Sequence, residues 1–309
     1  MDQLISRREL DHLGFTKGQI AHAIDAAELQ RVRRGVYRIP NCNPGDEMSH
    51  EVLVRATVAL GSDDAVVSGW SAAGLHGLPV DSNFGTNRVM KTWPASSHGR
   101  KGKVTHSRLA RFQPDEVVTV RGLAVTSVER TCADLARTSE LAWGVTLYDQ
   151  ALRLGLTRGV LERGLERWPR RPGIRKARLA LAWADPRSES VGESLSRTLI
   201  RRRGLPVPDL QREIWDDAGF VGRTDFAWDE FGVLGEFDGM IKYGESASGS
   251  PQKAIMAEKR REERLRAAGW WIIRWDWIDL SHPDELIARI WRGLAHGTPG
   301  GRRRPVDNT

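Results

Sequence analysis

Val221-Gly-Arg-Thr-Asp-Phe-Ala-Trp228 and Gly232-Val-Leu-Gly-Glu-Phe-Asp-Gly239 are two short apolar runs in which β-branched and aromatic residues alternate with polar or small ones. Asp229-Glu-Phe-Gly232 between them has turn chemistry, so the stretch predicts a β-hairpin. With those four residues as the loop, Trp228 pairs with Val233. Counting outward sets Asp225 opposite Glu236, and Arg223 opposite Asp238 as a cross-strand ion pair. Opposed side chains lie about 4.5–5.5 Å apart at Cβ, and like charges there destabilise a sheet. Ala227 and Leu234 share the face of the two carboxylates, which implies partial burial. Two carboxylates held so close on an apolar hairpin predict a divalent cation between them, since Mg²⁺ takes one or two carboxylates plus phosphate oxygens and waters.

Outward from the hairpin the chain reads helix, strand, hairpin, helix, strand, helix. The first helix runs from near Ser188 to about Arg203, and Leu210–Trp215 gives an approach strand. A charged helix spans about Pro251 to Ala268 and stops at Gly269, the residue type expected just past a helix C-terminus. Trp270-Trp-Ile-Ile-Arg-Trp-Asp-Trp277 reads as a buried strand, and Ser281-His-Pro-Asp-Glu opens a capped final helix.

That order, with an acid on the first helix, an Asp on one strand and Glu-x-Asp on the next, resembles the PD-(D/E)XK nuclease superfamily, in the branch related to very-short-patch-repair endonucleases. The matching stretches are Ser190-Val-Gly-Glu-Ser-Leu-Ser-Arg197, Gly204-Leu-Pro-Val-Pro-Asp-Leu-Gln211, Gly222-Arg-Thr-Asp-Phe-Ala-Trp228, Gly235-Glu-Phe-Asp-Gly-Met-Ile-Lys-Tyr243 and Glu258-Lys-Arg-Arg-Glu-Glu-Arg-Leu265. The likeness covers about the last 120 residues, the size of one small domain. It implies a restriction-endonuclease-like αβββαβ core over 185–296 and metal-dependent cleavage of DNA. Asp225 and Glu236 would hold Mg²⁺ or Mn²⁺, and Glu193 would complete the acidic cluster. Lys259 and Arg260 would grip the DNA backbone. The superfamily's second strand usually reads acid-x-Lys. Here Asp238 stands at the lysine position, and Lys242, four residues on, is the group left to orient the attacking water. The candidate catalytic set is therefore Glu193, Asp225, Glu236, Asp238 and Lys242. Each has a plainer reading: Glu193 as the third residue of a capping box begun by Ser190, Asp238 as the partner of Arg223, Lys242 as a solvated surface lysine.

Near the N-terminus, Ser6-Arg-Arg-Glu9 and Thr16-Lys-Gly-Gln19 are capping boxes that open helices to about Leu13 and Ala27. Leu29-Gln-Arg-Val-Arg-Arg-Gly-Val-Tyr-Arg-Ile39 then reads as two strands around Arg-Arg-Gly. Helix, turn, helix and hairpin within residues 1–41 outline a winged helix-turn-helix. Its second helix would present Lys17, Gln19 and His22 to a major groove, and Arg31, Arg33 and Arg34 would touch phosphates. This segment resembles the N-terminal domain of AbiEi-type antitoxins, down to the Arg-Val-Arg-Arg-Gly-Val-Tyr-Arg stretch. The likeness extends through Val66-Val-Ser-Gly-Trp-Ser-Ala-Ala-Gly-Leu-His-Gly-Leu78 and Gly122-Leu-Ala-Val-Thr-Ser-Val-Glu-Arg-Thr-Cys-Ala-Asp-Leu135. It implies DNA binding and a toxin or other protein partner.

Residues 42–184 read as an α/β scaffold with a small sheet from about Arg88 to Val125. His76, His98 and His106 are scattered there, and Ser68 and Ser71 show no paired base. The last segment, 297–309, reads as a basic disordered tail containing Arg302-Arg-Arg304.

The chain has 309 residues, 40% hydrophobic and 28% charged, enough for two or three domains of an α+β multidomain protein. Its net charge of +7 suits an anionic partner. Two cysteines, Cys42 and Cys132, give neither a zinc pattern nor a disulfide framework. Without a membrane-length apolar run or a signal-peptide shape, the expected location is the cytoplasm. Two functional readings follow: a DNA endonuclease carried by an N-terminal DNA-binding domain, or an AbiEi-type regulator whose nuclease-like domain is inactive.

Overall fold

The computed structural model describes residues 4–40, 49–60, 65–85, 87–94, 105–239 and 251–297, with backbone alone for 105–110 and 251–254. The chain is a mixed α/β protein in two compact units, Met1–Thr138 with Gly159–Ile174, and Ser139–Arg158 with Arg175–Thr309. The sequence suggests boundaries at 41 and 184. In the structure the N-terminal hairpin shares one core with the region that follows, where Val32 and Val36 pack among Val52, Leu53, Val67, Val89 and Val125. Within the expected 42–184 domain, residues 159–174 belong to the first unit, while 139–158 and 175–184 belong to the second.

The first unit begins with β1 (Leu4–Ser6), α1 (Arg7–His12), α2 (Lys17–Asp25), β2 (Gln30–Arg33) and β3 (Val36–Arg38). Both capping boxes form. Ser6 Oγ accepts the Glu9 amide while Glu9 reaches back to Ser6, and Thr16 and Gln19 repeat the arrangement. Leu10, Ile20, Ala23, Leu29 and Tyr37 close the module's core, and the three strands pair in the order β1-β3-β2.

The chain continues through α3 (His50–Ala59), β4 (Val66–Val67), α4 (Gly69–Leu75), β5 (Val89–Pro94), β6 (Thr105–Ala110), β7 (Val117–Val120) and β8 (Leu123–Thr126). These strands form a five-stranded sheet in the order β6-β5-β4-β8-β7. Helices α5 (Val128–Thr138), α6 (Leu141–Arg153), α7 (Arg158–Glu166) and α8 (Ile174–Trp183) follow.

The second unit is built on α9 (Val191–Arg202), β9 (Asp209–Asp216), β10 (Gly219–Trp228), β11 (Val233–Phe237), α10 (Pro251–Ala267), β12 (Trp271–Trp275), α11 (Trp277–Ser281) and α12 (Pro283–His296). Its sheet has the order β12-β11-β10-β9, with β11–β12 parallel and the other pairs antiparallel. The hairpin register is the expected one, Trp228 with Val233, Ala227 with Leu234 and Phe226 with Gly235. Gly232 closes the turn at φ 61°, a left-handed conformation that suits glycine. One sheet face packs Phe226, Trp228, Val233, Phe237 and Trp275 against Ile200 of α9 and Leu286 and Ile290 of α12. The other packs Val221, Ala227 and Leu234 against Leu265 of α10. Helix α6 is pinned to α9 by a buried ion pair, Arg197 Nη2 to Asp149 Oδ2 at 2.7 Å.

Two expected boundaries shift. Asp276 accepts the Ile278 and Asp279 amides and so caps α11, which takes Trp277 out of the strand. The final helix starts at Pro283, and Ser281 donates its hydroxyl to the Ile278 carbonyl instead of capping it. Among the described residues no helix is long and apolar enough to cross a membrane.

Candidate carboxylate site and basic helix–hairpin face

Backbone pairing between β10 and β11 reaches Phe226 and Gly235, and side chains continue it. Asp225 Oδ2 accepts the Phe237 amide hydrogen at 2.8 Å, and the Thr224 hydroxyl donates to the Gly235 carbonyl at 3.0 Å. Asp225 is therefore not simply set face to face with Glu236, as the hairpin count predicts. It lies in the seam where the strands part, open to groups from both sides of the sheet.

Glu193 approaches from α9. Ser190 Oγ accepts the Glu193 amide, as the capping spacing predicts, but the Glu193 carboxylate accepts the Glu189 amide at 2.8 Å and not that of Ser190. The same oxygen receives Gln211 Nε2 at 2.9 Å, and that nitrogen lies 3.4 Å from Asp225 Oδ1. Gln211 holds this place from β9 with φ 53°, the left-handed region that non-glycine residues seldom adopt. Among the described residues neither Glu193 nor Asp225 pairs with Lys or Arg. Burial, with the charges of Glu193 and Glu236, pushes the Asp225 carboxyl up to about 6, against the hydrogen bond from Phe237.

Glu236 is held differently. It is 8% exposed, and Arg261 Nη2 donates to both its oxygens at 2.7 and 2.9 Å. Arg274, its register partner on β12, adds Nε at 3.0 Å. Glu258 shares both arginines. The hydrogen bond from Arg261 holds the Glu258 carboxyl below its usual range.

The expected triad of metal-binding carboxylates is thus not assembled. Among the described residues no group of three or more His, Cys, Asp or Glu side chains is arranged to hold a metal ion. The donor set fits a hard cation in a narrower form. Glu193 and Asp225 direct two oxygens at one point, and Gln211 fills that point with a neutral donor. A half-turn of its carboxamide would present oxygen instead. Glu236, committed to two guanidinium groups, stands outside this set.

Asp238 is exposed, and its amide donates to the Trp275 carbonyl at 2.8 Å. Partial desolvation, with the charges of Glu258 and Asp276, raises its carboxyl pKa against the pull of Arg274. Arg223 pairs with Glu189 at 2.7 Å, in place of the predicted cross-strand pair with Asp238. Lys242 lies outside the described residues. Lys259 and Arg260 are exposed on α10.

In the first unit Lys17, Gln19 and His22 all lie on the exposed side of α2. Gln19 turns its carbonyl oxygen back to the Thr16 amide and hydroxyl at 2.8 and 2.9 Å, so only its nitrogen is left to face outward. Arg31 and Arg34 are exposed; Arg33 is half-buried, and burial lowers its pKa.

Sequence reasoning passed over Gln211, Arg261, Arg274 and His50. Gln211 ended a quoted stretch, and Glu258 and Arg261 have the i,i+3 spacing of an ion pair on α10, but their convergence on Glu236 needs the tertiary fold. Ser71, read as having no base nearby, has His50 Nε2 3.0 Å from its Oγ. That hydroxyl also accepts the Met90 amide and is fully buried.

A mixed α/β chain with a capped helix–helix–hairpin module in one unit and a strand-borne acidic group in the other defines an α+β multidomain protein. The chain belongs to the family of a Mycobacterium tuberculosis protein, Rv2248 of strain H37Rv and MT2308 of strain CDC 1551, each described as uncharacterized. It is 30% identical to both over 290 residues, 93% of this chain and 100% of theirs. No protein-family model matches it. Among solved structures, the crystal structure of the RV2827C protein from Mycobacterium tuberculosis is similar at a TM-score of 0.40 and 15% identity, over 69% of this chain and 83% of that one.

Proposed function

We propose that this protein is a metal-dependent DNA endonuclease delivered to duplex DNA by its N-terminal module. In this reading residues 1–41 are a winged helix-turn-helix of the AbiEi-antitoxin kind. The second unit is a restriction-endonuclease-like αβββαβ core of the PD-(D/E)XK superfamily, in the very-short-patch-repair-related branch. The observation that carries it is the convergence of Glu193 and Asp225, from a helix and a strand, on the Gln211 amide nitrogen. Without a cation, two partly buried carboxylates there repel, and Asp225 is displaced toward its protonated form.

Mg²⁺ or Mn²⁺ between them would lower the pKa of a bound water and offset charge on the scissile phosphate. The chain's own groups do the rest. Lys17, His22, Arg31 and Arg34 hold the duplex, and Lys259 and Arg260 meet backbone phosphates near the site. Arg261 and Arg274 keep Glu236 neutralised beside Asp225. Lys242 orients the attacking water.

The second reading, a DNA-binding regulator with an inactive nuclease-like domain, is favoured by one specific arrangement. Glu236 is locked to two arginines, and Asp238 replaces the superfamily's lysine. A toxin or other protein would then dock on the region 42–184.

The deciding experiment incubates the full chain with Mn²⁺ or Mg²⁺ on duplex, single-stranded, mismatched and branched DNA. Cleavage of at least one form is expected, abolished by EDTA and by Asp225→Asn or Glu193→Gln. Cleavage that survives both substitutions removes the site assignment. Binding without cleavage of any form selects the regulator.

A further inference from the structure

A second feature of the C-terminal unit lies beyond the Glu193–Asp225 pair. Strand β12 is the edge of its sheet among the described residues, and a cleft of about 460 Å³ runs between it and the last turns of α12. Its lining is Trp271, Ile272 and Ile273, three arginines (Arg274, Arg289 and Arg292), and Gly293 with His296. No carboxylate is among these residues.

The sequence builds this cleft through one small residue. A Cβ at Gly293 would lie 2.4 Å from Ile273 Cδ1 and 3.5 Å from Trp271 Cδ1, so only glycine lets α12 sit this low on the strand. The Trp271 side chain is left half in solvent, 51% exposed. The His296 ring lies beside it, centroids 6.3 Å apart and planes 33° off parallel. Arg274 is turned to Glu236 and Glu258, and Arg289 is shared with Asp279 at 2.7 Å. Arg292 is different. Among the described residues it has no acidic partner, only a 3.4 Å contact from Nε to the Ala288 carbonyl of its own helix.

We infer that this cleft binds single-stranded DNA, with one base stacked on Trp271 and the adjoining phosphate held by Arg292. An exposed aromatic ring in a concave, cationic cleft suits an unstacked base followed by phosphate. A duplex keeps its bases stacked and offers no ring to such a platform. Arg289, one turn of helix away, is already paired with Asp279, which leaves the phosphate to Arg292. An extended acidic peptide pairing with the edge of β12 is the competing occupant, and it would need the strand edge more than the ring. The inference does not depend on whether Glu193 and Asp225 support cleavage.

The test uses the full chain without divalent metal, titrated by fluorescence anisotropy into labelled oligothymidylate and into a blunt duplex of the same length. Trp271→Ala and Arg292→Ala are each expected to weaken oligothymidylate binding about tenfold, and Trp271→Phe to restore most of it. Duplex affinity should stay at the wild-type level. Should Trp271→Ala fail to fold, Arg292→Ala on the exposed face of α12 still carries the comparison. Three results overturn the proposal: no loss of oligothymidylate affinity in Arg292→Ala, equal loss for both DNA forms, or displacement of bound oligothymidylate by polyglutamate that Trp271→Phe and Arg292→Ala leave unchanged.

Discussion

Arg274 lies beside Glu236 in the parallel β11–β12 ladder and donates Nε to its carboxylate at 3.0 Å. With Arg261 on the other side, this pairing divides the acidic group in two. Glu236 has its charge compensated by side chains of the fold, while among the described residues Glu193 and Asp225 receive hydrogen bonds from neutral donors alone. Stability, metal binding and pH response are expected to follow that division.

Removing one guanidinium leaves Glu236 buried with incomplete compensation. Arg261→Ala should cost about 1.5–3 kcal/mol, the range for a hydrogen bond to a charged group. The double variant Arg261→Ala/Glu236→Gln should recover part of it. Urea melts of Arg261→Ala, Glu236→Gln and the double variant check this, and a loss in the double variant equal to the sum of the single losses would show that the contact contributes nothing.

Asp225 sets a pH dependence with a definite sign. Its folded pKa of about 6 lies above the ordinary aspartate value. It therefore favours folding below about pH 4, and that contribution is lost as pH rises through about 6. Allowing for the partial exposure of the carboxylate, the loss is about 2 kcal/mol. Asp225→Asn should be the more stable protein at pH 7.5 in EDTA and lose its advantage near pH 4. Parallel stability curves for the two proteins would exclude a raised Asp225 pKa.

Mn²⁺ should reverse the order of those two proteins at neutral pH. A ligand bound only by the folded state stabilises by RT ln(1 + [L]/Kd), about 2.7 kcal/mol at a hundredfold excess over Kd. Wild type should melt higher in Mn²⁺ than in EDTA, and Glu193→Gln should erase the gain. Glu236→Gln should keep it, since that carboxylate is already committed to Arg261 and Arg274. A gain lost with Glu236 and kept without Glu193 would return the cation to the Asp225–Glu236 pair.

Duplex affinity should reside largely in the first unit. Arg31→Ala and Arg34→Ala are each expected to reduce the log–log salt slope by about one, as a lost phosphate contact does. Arg33→Ala should act on stability more than on the slope, because its guanidinium is half-buried. Filter binding across a salt series separates these outcomes, and unchanged slopes would mark the hairpin as solvated surface.

Much of the local structure was legible in the sequence because it is set by nearest neighbours. The capping boxes at Ser6 and Thr16, the register of Trp228 on Val233 and the helix stop at Gly269 follow from side-chain-to-backbone bonds over three residues, from a tight turn, or from period-2 alternation. The same reasoning placed Asp225 and Glu236 on adjoining strands. It could not foresee that backbone pairing would give way to side chains at Asp225, because that depends on the Phe237 amide choosing a carboxylate over a strand neighbour.

The sequence by itself determined which residues carry charge, the approximate course of the C-terminal strands and helices, and that Asp225 and Glu236 stand on adjoining strands. Only the tertiary structure decided which of those acids is compensated. Arg261 and Arg274 are distant from Glu236 in the chain, and Gln211 is distant from Glu193. Their pairing required a helix and a parallel strand to be laid against the hairpin. Burial then fixed the electrostatics, since a carboxylate removed from water takes its properties from whichever donors the fold brings within hydrogen-bonding reach.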